Sequence, residues 1–207
     1  MCVWASVILA VAFSPLCVLA YGSGAPTSVC TSLTPDHKLD GTPLSAQCAE
    51  NAKYSIMPSS DEYEPGKTMT VTVEGGDYQG IFLQARIVGK DDPVGTWSSP
   101  PDNTQLRTCT KASDSVTHAN TNVKGNNSVY SWTIEEGSEA IEFVATIAEN
   151  HDVYWVKVKS AQICGCPMGT SPDIILVVMA AVLSIPGAVV ELCFHLNSCS
   201  RLNDKKN

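Results

Sequence analysis

Apolar and polar residues alternate one by one in several short stretches between residues 68 and 159, and this pattern constrains the fold most. In the first stretch Met69, Val71 and Val73 alternate with threonines and Glu74. Successive side chains of a β-strand point to opposite faces, so each stretch predicts a strand with one buried face. A sustained apolar period of 3.6 residues, which an amphipathic helix needs, is almost absent. The middle of the chain is therefore predicted to be all-β.

The same alternation recurs between turn signals such as Pro65-Gly66. The predicted buried faces of four further strands are Ile81, Leu83, Ala85 and Ile87; Tyr130, Trp132 and Ile134; Ile141, Phe143, Ala145 and Ile147; and Tyr154, Val156 and Val158. Shorter strands are expected over residues 105–110 and 115–119. Seven or eight half-buried strands at this spacing predict an Ig-like antiparallel β-sandwich.

Both ends of the chain are more apolar than this middle. Residues 1–20 carry no charged side chain and are predicted to be a secretory signal peptide. Residues 174–190 form a second uncharged run, predicted to be a single transmembrane segment after a linker at 167–173 and before a short cytoplasmic tail at 191–207. These features predict the secretory pathway and a single-pass type I protein at the cell surface.

Two alternatives apply to the C-terminal apolar run. Small residues at 169–171 precede it, as they do in a signal for a glycosylphosphatidylinositol anchor. Pro186-Gly187 interrupts the run, which leaves a C-terminus without a membrane function as a third interpretation. The chain would then be lipid-anchored or secreted rather than membrane-spanning.

The charge balance limits the partners of the protein. The formal net charge is −8, and the sequence pI is about 4.9. Binding to nucleic acid depends on a clustered positive surface. We therefore expect no nucleic-acid partner.

The cysteine count predicts an oxidised extracellular part with one thiol left over. Five of the nine cysteines, Cys30, Cys48, Cys109, Cys164 and Cys166, follow the predicted signal peptide and precede the apolar run. Behind a signal peptide such thiols are expected to form disulfides. Two intradomain disulfides leave one thiol, which we expect to come from the Cys164-Gly165-Cys166 pair.

The sequence offers no motif for catalysis, a cofactor or a metal. It lacks Gly-x-Ser-x-Gly, His-Glu-x-x-His and a phosphate-binding loop. The Cys-x-Cys pair and the distant His37, His118 and His151 do not have the spacing of zinc ligands. We therefore predict a non-enzymatic protein without a cofactor.

Two groups of side chains are candidates for a ligand surface. Phe82, Gln84 and Arg86 share the predicted outward face of one strand, and Trp155 precedes Lys157 and Lys159 on the predicted outward face of another. Aromatic rings beside cations bind glycans or acidic lipids by stacking and charge. The alternative for Trp155 is packing beneath the irregular N-terminal segment.

One site of modification is predicted. Asn126-Asn127-Ser128 is an N-glycosylation sequon within a turn. In the secretory pathway, we expect a glycan on Asn126.

Several motifs in a fixed order resemble the reeler (reelin-type) domain family. They are Gly24-Ala25-Pro26 before Cys30, Pro35-Asp36-His37, the Tyr-Gln-Gly-Ile-Phe-Leu-Gln-Ala-Arg run at 78–86, Pro-Val-Gly-Thr-Trp at 93–97, Leu106-Arg107-Thr108-Cys109, and the strand sequences at 143–147 and 154–158. The resemblance covers about residues 22–163 and places a reeler domain at 21–166. It implies an Ig-like β-sandwich, as the alternation does.

The resemblance also implies a pairing of cysteines. Cys30 and Cys109 match family positions that we expect to be joined. The remaining bridge would join Cys48 to Cys164, with Cys166 as the alternative partner.

The family suggests three functions. Reeler domains occur in reelin, spondins, ferric-chelate reductase-like membrane proteins and small secreted defence proteins of invertebrates. With one domain, the chain resembles the defence proteins most, which implies recognition of a microbial surface glycolipid or glycan in innate immunity. The alternatives are an extracellular-matrix or cell-adhesion module and a truncated ferric-chelate reductase-like protein without its haem domains.

Overall fold

A computed structural model describes residues 22–165. Its strands are β1 (Lys38–Leu39), β2 (Thr42–Pro43), β3 (Ser55–Pro58), β4 (Glu62–Tyr63), β5 (Met69–Glu74), β6 (Gly80–Ile87), β7 (Thr96–Ser98), β8 (Thr104–Arg107), β9 (Ser115–His118), β10 (Ser128–Thr133), β11 (Ile141–Ala148), β12 (Tyr154–Lys159) and β13 (Cys164–Gly165). Two 3₁₀ turns, Thr27–Val29 and Ala49–Asn51, are the helical elements within this range.

The predictions for the two ends fall outside the described range. The signal peptide at 1–20, the linker at 167–173, the transmembrane segment at 174–190 and the tail at 191–207 all lie there. Between residues 22 and 165, no helix combines the length and the apolar character needed to cross a membrane.

Two antiparallel sheets pack face to face. One has the strand order β3-β5-β10-β7, and the other has the order β12-β11-β6-β9-β8. Two small sheets flank them: the β1-β2 hairpin, and a parallel pairing of β13 with β4. The predicted all-β sandwich is confirmed.

The core between the sheets is aromatic. Phe143 of β11 meets Trp132 of β10 and Trp97 of β7 edge-on, with ring centroids 5.4 and 5.6 Å apart. The hydroxyls of Tyr78 and Tyr130 lie 2.7 Å apart and satisfy each other in the interior. Burial raises the pKa of Tyr130, so its phenol stays neutral. Edge-on ring pairs add to the free energy that apolar burial supplies.

The position of Trp132 requires a glycine at residue 95. The indole Nε1 of Trp132 donates to the carbonyl of Val94 at 3.0 Å. Gly95 has φ +69°, and a Cβ there would lie 2.5 Å from the same indole nitrogen. Only glycine combines this backbone conformation with so close an approach. The turn before β7 and the core tryptophan therefore depend on each other.

The predicted faces of β5, β6, β10 and β11 are confirmed, but that of β12 is wrong. Trp155 pairs with Ile147 and Val158 pairs with Ala145, so the register shifts between these two pairs. Lys157 lies in this irregular stretch with φ +58°. A β-bulge adds one residue and reverses the alternation beyond it. Trp155 and Val158 therefore both point into the core.

The disulfide between Cys30 and Cys109 is confirmed, and the second predicted bridge is wrong. Cys48 is an exposed free thiol that donates to Glu50. Cys164 is disulfide-bonded, but not to Cys48, and Cys166 lies outside the described residues. Cys48 and Cys164 lie in different parts of the fold. Gln47, the neighbour of Cys48, pairs with Trp155 of β12, whereas Cys164 pairs with Glu62 of β4.

Loss of the Cys30–Cys109 bridge is expected to destabilise the domain strongly. The bridge joins residues 79 apart in sequence. Closing a loop of that length restricts the unfolded chain and contributes about 4 kcal/mol to the free energy of unfolding. Urea unfolding of the intact chain carrying Cys30→Ala and Cys109→Ala should show a loss of that order.

Cys48→Ala provides the matched control for this loss. Its thiol is exposed and closes no loop, so its stability should stay within about 0.5 kcal/mol of the wild type. Equal losses in the double variant and the control would contradict the assignment.

Candidate functional site

The N-terminal segment, residues 22–37, covers the outer face of the five-stranded sheet. Leu33 is buried there against Phe82 of β6 and Val144 of β11. The hydroxyl of Thr146 donates to the carbonyl of Leu33 at 2.6 Å. At the other end of the segment, the amide of Ala25 donates to the hydroxyl of Thr117 at 2.9 Å. The segment therefore packs on both apolar and polar groups of the sheet.

Arg86 connects this segment to the sheet. Its Nη2 donates to the carbonyls of Cys30 and Thr31 at 2.8 and 3.1 Å. Its Nε and Nη2 both donate to Oε1 of Gln84, and its Nη1 donates to Asp91 at 2.8 Å. Burial lowers the pKa of Arg86, and nearby carboxylates oppose that effect. A buried guanidinium with all of these partners is a structural anchor.

This packing corrects most of the predicted ligand surface. Phe82, Gln84 and Arg86 do share a face, but the N-terminal segment covers them, and each is at most 3% exposed. Trp155 is 8% exposed because the bulge turns it inward, where it meets Tyr54 edge-on. None of these four side chains can form an open ligand surface.

Lys157 and Lys159 remain at the surface. Lys157 contacts Asp91 at 3.3 Å, and Lys159 contacts Glu142 at 2.6 Å. Their side chains are 41% and 53% exposed. The Lys157–Asp91 pair is exposed on both sides and exchanges partners at little cost, whereas Lys159 pairs with Glu142, which is only 10% exposed. Both ammonium groups still reach solvent, so both are accessible to an anion.

A cavity of about 150 Å³ lies between the N-terminal segment and one end of the sheet's outer face. Gly80 and Ala148 form its floor as paired residues of β6 and β11. Farther along the same face, Phe82 and Thr146 fill the corresponding space. The cavity therefore exists because two neighbouring positions on this face hold small residues. Its walls are mostly apolar.

Lys124 fixes the loop beside this cavity. Its ammonium donates to the carbonyls of Gln79, Asn120 and Asn122 at 2.6, 2.5 and 2.8 Å. Burial lowers its pKa to about 8. Gln79 and Thr121 line the cavity, so this ammonium holds part of the cavity wall in place.

Two imidazoles stand at the rim of the cavity. The ring of His37 stacks on that of His151, with centroids 4.9 Å apart, and meets Tyr154 edge-on at 4.7 Å. Nδ1 of His37 is buried without a hydrogen-bond partner among the described residues. Burial lowers the pKa of His37, and His151 lowers it further. The neutral imidazole is therefore favoured here.

The described residues do not suggest a metal centre. Within residues 22–165, no three His, Cys, Asp or Glu side chains lie close enough to hold an ion. His118, which does not have the spacing of a zinc ligand in the sequence, has its Nδ1 3.2 Å from the carbonyl oxygen of Ile81 in β6.

Asn126 is exposed in the turn before β10. Its Oδ1 accepts from the amides of Gly75 and Gly76 at 3.0 and 3.2 Å. The hydroxyl of Ser128 donates to the carbonyl of Gly125 at 2.7 Å. The predicted sequon is thus in an accessible turn in which Asn126 also has a structural role.

Comparison with known proteins decides the family. The sequence model of the Reeler domain family matches residues 28–165 of this chain. The chain belongs to the reeler domain family. In this reeler domain, the matched range begins just after the start of the N-terminal segment and ends with β13.

Known relatives of this reeler domain differ in length. The chain is 34% identical over 161 residues to "Putative defense protein 3" of Antheraea mylitta, covering 75% of this chain and 93% of that protein. It is 30% identical to ferric-chelate reductase 1 of Bos taurus, covering 81% of this chain and 28% of that protein. The crystal structure of the human F-spondin reeler domain matches with a TM-score of 0.46 and 17% identity, over 56% of this chain and 89% of that one.

The sequence pattern predicted neither the cavity nor the anchor of its wall. The spacing of His37 and His151 indicated no zinc site, and no motif contained Lys124 or Ala148. The sequence does hold one indication of the cavity: a small residue at the start of β6, Gly80, and another at the end of β11, Ala148. These residues indicate a cavity only when the antiparallel register, which pairs them, is known.

The lowered pKa of His37 predicts a loss of stability in acid. The unfolded state takes up the His37 proton near pH 6.5, whereas the folded state takes it up only at lower pH. As the pH falls below 6.5, the unfolded state therefore binds more protons and the free energy of unfolding decreases. His37→Phe keeps a ring and removes this titration.

Urea unfolding at pH 7.5 and 5.5 measures the effect. The wild type should lose more stability than His37→Phe over this interval, since other titrating groups are common to both. His151 and His118 add like charge near His37, while Asp152 opposes it. Equal losses in the two proteins would show that His37 is not the group involved.

Proposed function

We propose that this reeler domain protein is a non-enzymatic extracellular recognition module that binds microbial surface glycolipids or glycans in innate defence. The coverage of the Antheraea mylitta protein carries the proposal. The chain aligns to 93% of that protein, so a single reeler domain accounts for nearly all of a protein named for defence. A domain that constitutes nearly a whole protein must carry its activity itself.

Only two of the six side chains predicted to form a ligand surface are available for recognition. Phe82, Gln84, Arg86 and Trp155 serve the packing of the domain. Lys157 and Lys159 stay exposed on β12, an edge strand of the five-stranded sheet. Anionic phosphates or sugar acids of microbial glycolipids fit such a pair of ammonium groups.

An array of lipopolysaccharide, lipoteichoic acid, β-glucan and host glycosaminoglycans tests the proposal. The intact chain should bind at least one microbial class saturably and more tightly than the glycosaminoglycans. Replacing both lysines, Lys157→Gln and Lys159→Gln, should weaken binding about fivefold by removing two exposed charges. Lys67→Gln, at an exposed ion pair with Glu64, is the matched control.

Two outcomes count against defence recognition. Preference for glycosaminoglycans would favour the matrix or adhesion alternative. Absence of saturable binding to every microbial class would remove the proposal.

We also propose that the protein passes through the secretory pathway and carries a glycan on Asn126. The proposal rests on the Cys30–Cys109 disulfide and on the exposed sequon. Treatment of the cell-expressed chain with peptide-N-glycosidase should increase its mobility on a gel. Ser128→Ala and Asn126→Gln should each abolish that shift.

The two variants separate the glycan from the structural role of the asparagine. Neither variant carries the glycan, but only Asn126→Gln loses the bonds to Gly75 and Gly76, so it should also be less stable than Ser128→Ala. A wild-type chain whose mobility does not change would refute glycosylation at this site.

A second candidate is a reeler module of a longer ferric-chelate reductase-like protein. One observation favours it. The Danio rerio relative named for ferric-chelate reductase 1 aligns to 88% of this chain, whereas the defence relative aligns to 75%. The alignment covers only 32% of the Danio rerio protein. A transcript continuing past residue 207 into a haem-binding region would support it. Absence of haem absorbance in the full product would exclude it.

A further inference from the structure

We propose that the cavity beneath the N-terminal segment binds a small amphiphile, with a six-carbon apolar part inside and a carboxylate at the histidine rim. Such a site would function whether or not the domain recognises a microbial surface. The proposal rests on the floor, the volume and the rim of the cavity.

The floor is built to leave space. Gly80 and Ala148 pair directly across β6 and β11. A Cβ at Gly80 would lie 3.1 Å from the Cβ of Ala148, and the next nearest atoms, in the ring of His118, would be 3.9 Å away. Gly80 does not have a positive φ, so its backbone does not require glycine. What the glycine provides here is room.

The walls favour an apolar guest. Leu33 and Phe82 are each at most 3% exposed, and Val29 and Pro26 complete the side formed by the N-terminal segment. The volume of about 150 Å³ equals that of an engineered apolar cavity in another protein that holds benzene. A ring or chain of about six carbons therefore fits.

The rim supplies polar groups on one side. His37 and His151 stack there, and Asn150 and Gln79 lie close by. His37 and His151 both line the cavity, so their imidazoles can donate to or accept from a ligand there. Rim residues such as Thr121 are exposed, whereas Ala148 of the floor is buried and Gly80 is partly buried, so the cavity opens to solvent on this side. An amphiphile would enter with its carboxylate facing the imidazoles.

Photo-crosslinking of the intact cell-expressed chain tests the proposal without removing any segment. The probe is a six-carbon carboxylate that carries a diazirine on its alkyl chain. After irradiation, mass spectrometry should find the label on peptides containing residues 22–37, 79–82 or 146–151. Excess hexanoate should suppress this labelling by at least fivefold.

Three variants locate the site. Ala148→Leu fills the cavity and should reduce the labelling at least tenfold, while Val129→Leu, at a half-exposed position on the opposite sheet, should not change it. Gly80→Ala adds a single methyl group on the floor and should give an intermediate loss. His37→Phe should weaken competition by hexanoate more than competition by 1-hexanol, because only the carboxylate depends on the imidazole.

The results separate binding from nonspecific labelling. Thermal melting shows which variants are folded, and Gly80→Ala together with hexanoate competition remains informative if Ala148→Leu unfolds. Labelling that hexanoate does not suppress, or that folded Ala148→Leu retains in full, would overturn the proposal. Labels found only outside the three peptide ranges would overturn it as well.

Discussion

The fold depends on how the outer face of the five-stranded sheet is covered. That face carries Phe82 and Val144, which require shielding from water, beside Gln84 and Arg86, which require polar partners. One irregular segment meets both needs: Leu33 packs on the apolar pair, and the carbonyls of Cys30 and Thr31 accept from the guanidinium. The Cys30–Cys109 bridge holds this segment against the sheet. Without this cover, the sandwich would expose a second apolar face, and Arg86 would lose the two carbonyl acceptors that the segment provides.

Alternation predicted the parts of the fold in which each strand keeps a regular pleat. It placed the core residues of β5, β6, β10 and β11 on the correct faces because a period of two follows directly from strand geometry. It failed at β12, where Lys157 takes a left-handed conformation and one extra residue reverses the faces. A lysine carries no signal for such a conformation, whereas glycine or asparagine would have done.

The candidate site was less predictable than the fold, for a different physical reason. Alternation showed that Phe82, Gln84 and Arg86 share a face, but it could not show what covers that face. A cover composed of Pro, Ser, Thr and short apolar residues has no periodicity of its own. The cavity also arises from two chain positions 68 residues apart, Gly80 and Ala148, which only the register brings together. Family resemblance supplied the Cys30–Cys109 pairing that residue patterns alone left open.

The last described strand determines how the domain would carry a mechanical load. Ile163 exchanges two backbone hydrogen bonds with Ile141, at 2.8 and 2.9 Å, and β13 then runs parallel to β4. A force applied to the chain after Gly165 would meet these bonds before it reached β12 or the core. β4 lies toward the opposite end of β11 from the cavity, since Tyr63 donates to the carbonyl of Glu139 just before β11, whereas Ala148 of the cavity ends it. Tension on the C-terminal side would therefore first load these backbone hydrogen bonds, which lie away from the N-terminal segment.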